Sequence, residues 1–95
     1  MTTFRLLFKQ DAQKEWVNLD STIREQFKKK LKKRLLSPRV EPDRLNGMKD
    51  CYKIKLRSAG YRLVYEVRDQ ELIVSVVAIG KRERNEVYKT AMKRI

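Results

Sequence analysis

Tyr52-Lys53-Ile54-Lys55-Leu56-Arg57-Ser58-Ala59-Gly60-Tyr61-Arg62-Leu63-Val64-Tyr65-Glu66-Val67-Arg68 is the stretch that decides the fold. Its first part alternates Tyr52, Ile54 and Leu56 with Lys53, Lys55 and Arg57. Its second part alternates Tyr61, Leu63, Tyr65 and Val67 with Arg62, Val64, Glu66 and Arg68. A period of two marks a strand with one face buried. Ser58-Ala59-Gly60 supplies the turn between them. The two strands must share a core face, because a slip of one residue would turn every apolar side chain outward. Leu56 therefore faces Tyr61 across a four-residue turn, 57–60. Lys55 then sits opposite Arg62 and Lys53 opposite Val64, all on the other face. Like charges placed directly opposite one another cost stability.

Downstream, Asp69-Gln70 reads as a two-residue turn. It would place Tyr65 opposite Val74, Leu63 opposite Val76 and Arg62 opposite Val77. Leu72 to Ile79 is an almost unbroken apolar run, as in a strand covered on both faces. Ile73, Val77 and Ile79 would then share the cationic face and need a cover. Gly80 ends the strand, and a last helix is expected from about Asn85, with Val87, Ala91 and Ile95 on one side and Tyr88 and Met92 beside them. Laid over that face, this helix brings Arg82, Arg84 and Tyr88 to the rim of the Lys53–Lys55–Arg62 patch.

Upstream, Phe4 to Phe8 reads as a short strand that joins the sheet. Asp11 is the expected cap of a first helix carrying Ala12, Trp16 and Leu19 on one face. Thr22 and Glu25 fit the capping box of a second helix. Ile23, Phe27, Leu31 and Leu35 recur every four residues and make its apolar stripe. Its other face carries Lys28, Lys29, Lys30, Lys32, Lys33 and Arg34. Ser37-Pro38 ends it. A short turn between the two helices predicts an antiparallel helical hairpin. Residues 39–50, with Pro42 and Asn46-Gly47, form a connector. The order β-α-α-β-β-β-α gives one α+β domain, residues 1–95. Its mainly antiparallel sheet has the helical hairpin on one face and a C-terminal helix.

The chain has 24 Lys and Arg against 12 Asp and Glu, a net charge of +12. That excess opposes compaction by self-repulsion, which points to an anionic partner. Nucleic acid comes first, since Lys and Arg contacts to phosphate release counterions; an acidic protein and a membrane surface follow. Histidine is absent, which removes the commonest acid–base residue and the commonest metal ligand. No metal and no cofactor is expected. Cys51 is the single cysteine, so no internal disulfide can form, and without a histidine partner it makes a poor nucleophile. No secretory leader is read at the start and no apolar run is long enough for a bilayer, so the expected location is the cytoplasm, away from membrane.

Lys53, Lys55, Arg62, Arg82 and Tyr88 are the candidate catalytic residues. An Arg fork grips phosphate, and preorganised cations stabilise the charge that builds on a pentacoordinate phosphorus. In RNA the 2′-OH can attack the adjacent phosphate without a metal. A Lys crowded by other cations has a lowered pKa and can act as base. Tyr88 can orient the 2′-OH or stack on a base. The residues alone leave a second reading open, a solvated strand face with ordinary surface lysines. The Lys28–Arg34 run is most simply the wet side of an amphipathic helix. It is also a candidate anchor for structured RNA, through Lys28, Lys29, Lys32, Lys33 and Arg34, with Arg84 added from the last loop. Tyr52, Tyr61, Tyr65 and Trp16 are read as core.

The chain also resembles the RelE toxins of bacterial toxin–antitoxin modules over essentially its whole length. The likeness runs through Lys14-Glu15-Trp16, Arg24-Glu25-Gln26, Leu31, Ser37-Pro38-Arg39, Leu45 and Gly47-Met48. It continues through Asp50 to Arg57, Gly60 to Tyr65, Gly80 to Arg84 and Glu86-Val87-Tyr88. No short motif in the set is specific; the ordered set is. The resemblance implies a fold related to microbial ribonucleases and cleavage of mRNA in the ribosomal A site. It places the family's functional positions on Lys53, Lys55, Arg62, Arg82 and Tyr88. It also implies a RelB-like antitoxin, and operator DNA bound only through the toxin–antitoxin complex. The alternatives are a noncatalytic nucleic-acid-binding module and a toxin of the same fold with another target.

Overall fold

The computed structural model describes residues 3–83 and 86–95. The elements run β1 (Arg5–Phe8), α1 (Gln10–Val17), α2 (Ser21–Leu36), β2 (Cys51–Leu56), β3 (Tyr61–Arg68), β4 (Ile73–Lys81) and α3 (Glu86–Arg94), with one 3₁₀ turn at Glu41–Asp43. The expected order of elements holds. The sheet is ordered β1-β4-β3-β2. β1 runs parallel to β4 at the edge, and the other pairs are antiparallel.

Two cores sit on the two faces of the sheet. One is built from Tyr52, Ile54, Leu56, Leu63, Tyr65, Val74, Val76 and Ile79 against Ala12, Phe27 and Leu31, with Trp16, Leu19, Ile23 and Leu35 packed at its edge. α1 lies over β4 and α2 over β2, so each helix makes its main contact with the sheet. The other core joins Met48, Cys51, Val64, Val77 and Ala78 to Val87 and Ala91 of α3. Tyr52 and Tyr65 are core, as read; Trp16 and Tyr61 are partly buried and pack at its edge. Ile95, expected on the covered side of α3, is instead 47% exposed.

The β2–β3 register is the one the alternation dictates: Leu56 faces Tyr61, Lys55 faces Arg62 and Lys53 faces Val64. Gly60 closes the four-residue turn at φ +70°, a conformation glycine adopts without strain. The β3–β4 register differs from the expected one. Tyr65 pairs with Val76, Leu63 with Ile79 and Arg62 with Gly80. Two physical causes add up. The turn uses four residues, 69–72, closed by the Leu72 amide donating to the Asp69 carbonyl at 3.2 Å, with Leu72 at φ 57°. A bulge between Val64 and Tyr65 then shifts the ladder again. An extra residue in one strand turns the following side chains to the opposite face. Ile79 consequently joins the α1–α2 core, while Val77 stays under α3.

The helix starts also differ in detail. Lys9, not Asp11, occupies the cap of α1, with no side-chain hydrogen bond. α2 is capped by Asp20, whose carboxylate accepts from the Thr22 amide at 3.2 Å. An aspartate at that position serves as well as a serine or threonine.

Candidate functional site

The α3 face of the sheet has two halves. Toward the start of β2 it is apolar and covered: Cys51 and Val64 lie beneath Val87, Ala91 and Met48. Burial pushes the Cys51 thiol up to about 11, so at neutral pH it stays an unreactive S–H. Toward the β2–β3 turn the same face carries Lys53, Lys55 and Arg62. Lys55 and Arg62 are direct cross-strand partners. Lys55 is held below the ordinary lysine range, chiefly by the charge of Lys53. Smaller contributions come from partial loss of solvent, a hydrogen bond with Lys53 and the charges of Arg62 and Arg57.

Gly80 determines how α3 meets this patch. It is the β4 partner of Arg62. A methyl group there would lie 2.9 Å from Val87 Cγ2. The missing side chain lets α3 seat directly on the strand, and the next residue, Tyr88, comes close enough to Arg62 and Arg82 for their charges to act on its phenol. Burial nevertheless prevails and raises the Tyr88 pKa. Its hydroxyl is therefore a neutral donor. The Arg82 amide donates to the Gly60 carbonyl at 2.6 Å, which ties the end of β4 to the β2–β3 turn. All five candidate catalytic residues thus converge from β2, β3, the end of β4 and α3.

The proposed anchor residues divide. Lys28, Lys29, Lys32 and Lys33 are exposed along α2. Lys28 is 4.0 Å from Glu25, a solvent-exposed pair of little energetic weight. Arg34 does not belong with them. Its side chain is only 15% exposed. Nη1 donates to the Tyr65 hydroxyl at 2.8 Å and to the Lys53 carbonyl at 3.2 Å. Nη2 meets the Asp43 carboxylate at 2.6 Å. The guanidinium also lies over the Tyr65 ring, 5.8 Å from its centroid. Arg34 is built into the frame behind β2, where it fixes the backbone that presents Lys53. Arg84 lies outside the described residues.

Three further residues were not singled out from the sequence. Arg39 bridges Asp50 and Asp69 and donates to the Tyr52 hydroxyl. Arg94 is paired in a fork–fork arrangement with Glu15 and also donates to the Val77 carbonyl at 2.8 Å. Glu15 in turn accepts the Ile79 amide at 3.0 Å. The pair holds α3 to β4 and α1. Glu15 stands beside Trp16 in the quoted likeness, and that was the only sequence signal for it. Among the described residues no group of three or more His, Cys, Asp or Glu converges as a metal site.

The chain is similar in sequence and in fold to known proteins. The family described as the ParE toxin of type II toxin-antitoxin systems matches residues 6–86. Over 88 residues, 93% of each chain, the sequence is 61% identical to the mRNA interferase toxin RelE of Escherichia coli strain K12. The fold superposes with TM-score 0.90 and 58% identity on a free-state structure of an E. coli RelE in which two arginines are replaced by alanine, covering 100% of this chain and 99% of that one. It matches a chain of the intact E. coli RelBE toxin–antitoxin complex with TM-score 0.82 and 58% identity, covering 85% and 99%. The chain belongs to the RelE toxins, within the ParE-type toxin family of type II toxin–antitoxin systems.

Proposed function

We propose that this protein is the toxin of a type II toxin–antitoxin pair, a ribosome-dependent endoribonuclease that cuts mRNA in the A site and stops translation. The observation that carries the reading is the cluster of Lys53, Lys55, Arg62 and Arg82, without an ion-pair partner among the described residues, beside a neutral Tyr88. The family's mRNA interferase relatives support it. Its partners are mRNA, the ribosome and a RelB-like antitoxin; with the antitoxin it represses its own operon. The same reading places it in the cytoplasm, with the ribosomes. No helix among the described residues is long and apolar enough to cross a membrane.

The chemistry follows from the charges. Lys55, with its lowered pKa, takes the proton of the 2′-OH. The 2′-oxygen bonds to phosphorus, and the P–O5′ bond breaks. The 5′-oxygen leaves and takes a proton from solvent water, giving a 2′,3′-cyclic phosphate and a 5′-hydroxyl. Lys53, Arg62 and Arg82 face the phosphorane, whose negative charge they stabilise; Arg is too weak an acid to be the proton donor. The Tyr88 O–H orients the reacting ribose. None of these groups is a strong acid or base, so the ribosome must supply the alignment of the mRNA. Lys28, Lys29, Lys32 and Lys33 anchor the toxin on ribosomal RNA.

Purified protein incubated with programmed ribosomes tests the reading. Mapped mRNA ends should show an A-site cut. No cut above an Arg82→Ala control would sink it.

A further inference from the structure

A second basic concavity adjoins the catalytic patch and shares Lys55 with it. One wall is Gln26 and Lys30, a single turn apart on α2. The other is Lys55, Leu56, Arg57 and Ser58, where β2 passes into its turn. The cleft has a volume of about 400 Å³. Lys30 lies on the flank of α2 that turns toward β2, away from the outermost lysines. Among the described residues, neither it nor Arg57 nor Lys55 is in an ion pair. The cleft contains no carboxylate. Two other grooves differ. One sets Asp50, Glu66, Asp69 and Glu71 beside Arg39 and Arg68, the other sets Glu15, Glu83 and Glu86 beside Lys81.

Three cations with two neutral hydrogen-bonding side chains suit a phosphate and its ribose. Lys55 belongs to both the cleft and the patch, so a strand whose scissile phosphate meets Arg62 and Lys55 has its neighbouring phosphate at the cleft mouth. We propose that this cleft holds the mRNA backbone immediately flanking the cut, with Lys30 and Arg57 gripping that phosphate and Gln26 and Ser58 bonding to its sugar. The inference rests on the ribonuclease reading. It deepens that reading by adding Gln26, Lys30 and Ser58, which bind substrate beside the reacting groups.

The test uses the full chain and programmed ribosomes. Gln26→Ala and Lys30→Ala together should raise KM about tenfold while kcat stays within about twofold, the pattern of lost uniform binding. Thermal stability should not fall. A photoreactive side chain at position 58 is the second readout, on mRNA made uncleavable by a 2′-deoxy sugar at the cut. It should cross-link to the mRNA nucleotide beside that sugar. Cross-linking to ribosomal RNA alone, or an unchanged KM, overturns the proposal. If the unmodified protein fails to cut, the ribonuclease reading falls, and the cross-link still decides what the cleft holds.

Discussion

Arg34 and Arg62 are both arginines half-hidden against the same sheet, yet they live in opposite electrostatic worlds. Arg34 has a carboxylate, a phenol and a backbone carbonyl within hydrogen-bond reach. Arg62 faces Lys55 across the strand pair and has no ion-pair partner among the described residues. Arg39 and Arg94 repeat the first pattern. Lys53, Lys55 and Arg82 repeat the second. A satisfied cation holds the fold together, whereas one left among like charges awaits something from outside. The net charge of +12 mixes the two kinds, and only the partners separate them.

The contrast can be broken most directly by exchanging readouts. Arg62→Ala should cut the single-turnover cleavage rate by about 10²–10³-fold, as expected when a preorganised charge is removed from a transition state. Its denaturant midpoint should not fall. Arg34→Ala should do the reverse in kind. Leaving Asp43 and the Tyr65 hydroxyl without their donor costs about 2–3 kcal/mol of stability. Urea melts and rate measurements on both variants check the pair. If Arg34→Ala proves as stable as the parent, the frame role assigned to it is wrong.

A smaller effect sharpens the geometry. Gly80→Ala sets a methyl against Val87 and should push α3 outward by a few tenths of an ångström. The expected cost is about 1–2 kcal/mol from overpacking. Cleavage should fall about tenfold as Tyr88 moves off Arg62, since small misplacements near reacting atoms are costly. A rate loss that tracks the unfolded fraction alone would refute the positioning role.

The smallest effect concerns pH. The Lys55 pKa is lower in the folded chain than in the unfolded one. Below both values the amine is charged in both states, and its repulsion from Lys53 and Arg62 weighs fully against folding. As pH rises through the folded value and toward the ordinary lysine value, the unfolded chain holds more protons and this penalty is lost. Lys55→Gln should therefore raise Tm at neutral pH, and the gain should vanish in alkaline buffer. A gain independent of pH would show that charge is not its cause. Such a variant would be more stable and less active, the trade expected where a site holds unfavourable charge.

Legibility in the sequence followed how much period each segment carried. Tyr52 to Arg68 alternates strictly, so strand, register and the Lys55–Arg62 contact could be read directly. Leu72 to Ile79 is apolar at nearly every position. Such a run shows that a strand is buried on both faces, but says nothing of which residue pairs with which. The four-residue turn and the bulge were invisible for that reason. Arg34 could not be told from Lys28–Lys33 by composition, because Asp43 and Tyr65 lie 9 and 31 residues away in the chain. Arg94 and Glu15 are 79 apart. The cationic half of the site was legible because its residues share one hairpin. The pairs that hold its frame were not, because they join distant parts of the chain.

The parallel pairing of β1 with β4 has a consequence for birth rather than for action. Arg5 pairs with Ile73, so the first strand made must wait for the last one before the sheet can close. The hairpin that bears Lys53, Lys55 and Arg62 can form earlier, but Arg82 and Tyr88 follow β4 in the order of synthesis. A nascent chain therefore carries only part of the cationic cluster until β4 and α3 have both emerged, and it has no complete site to turn on RNA before then.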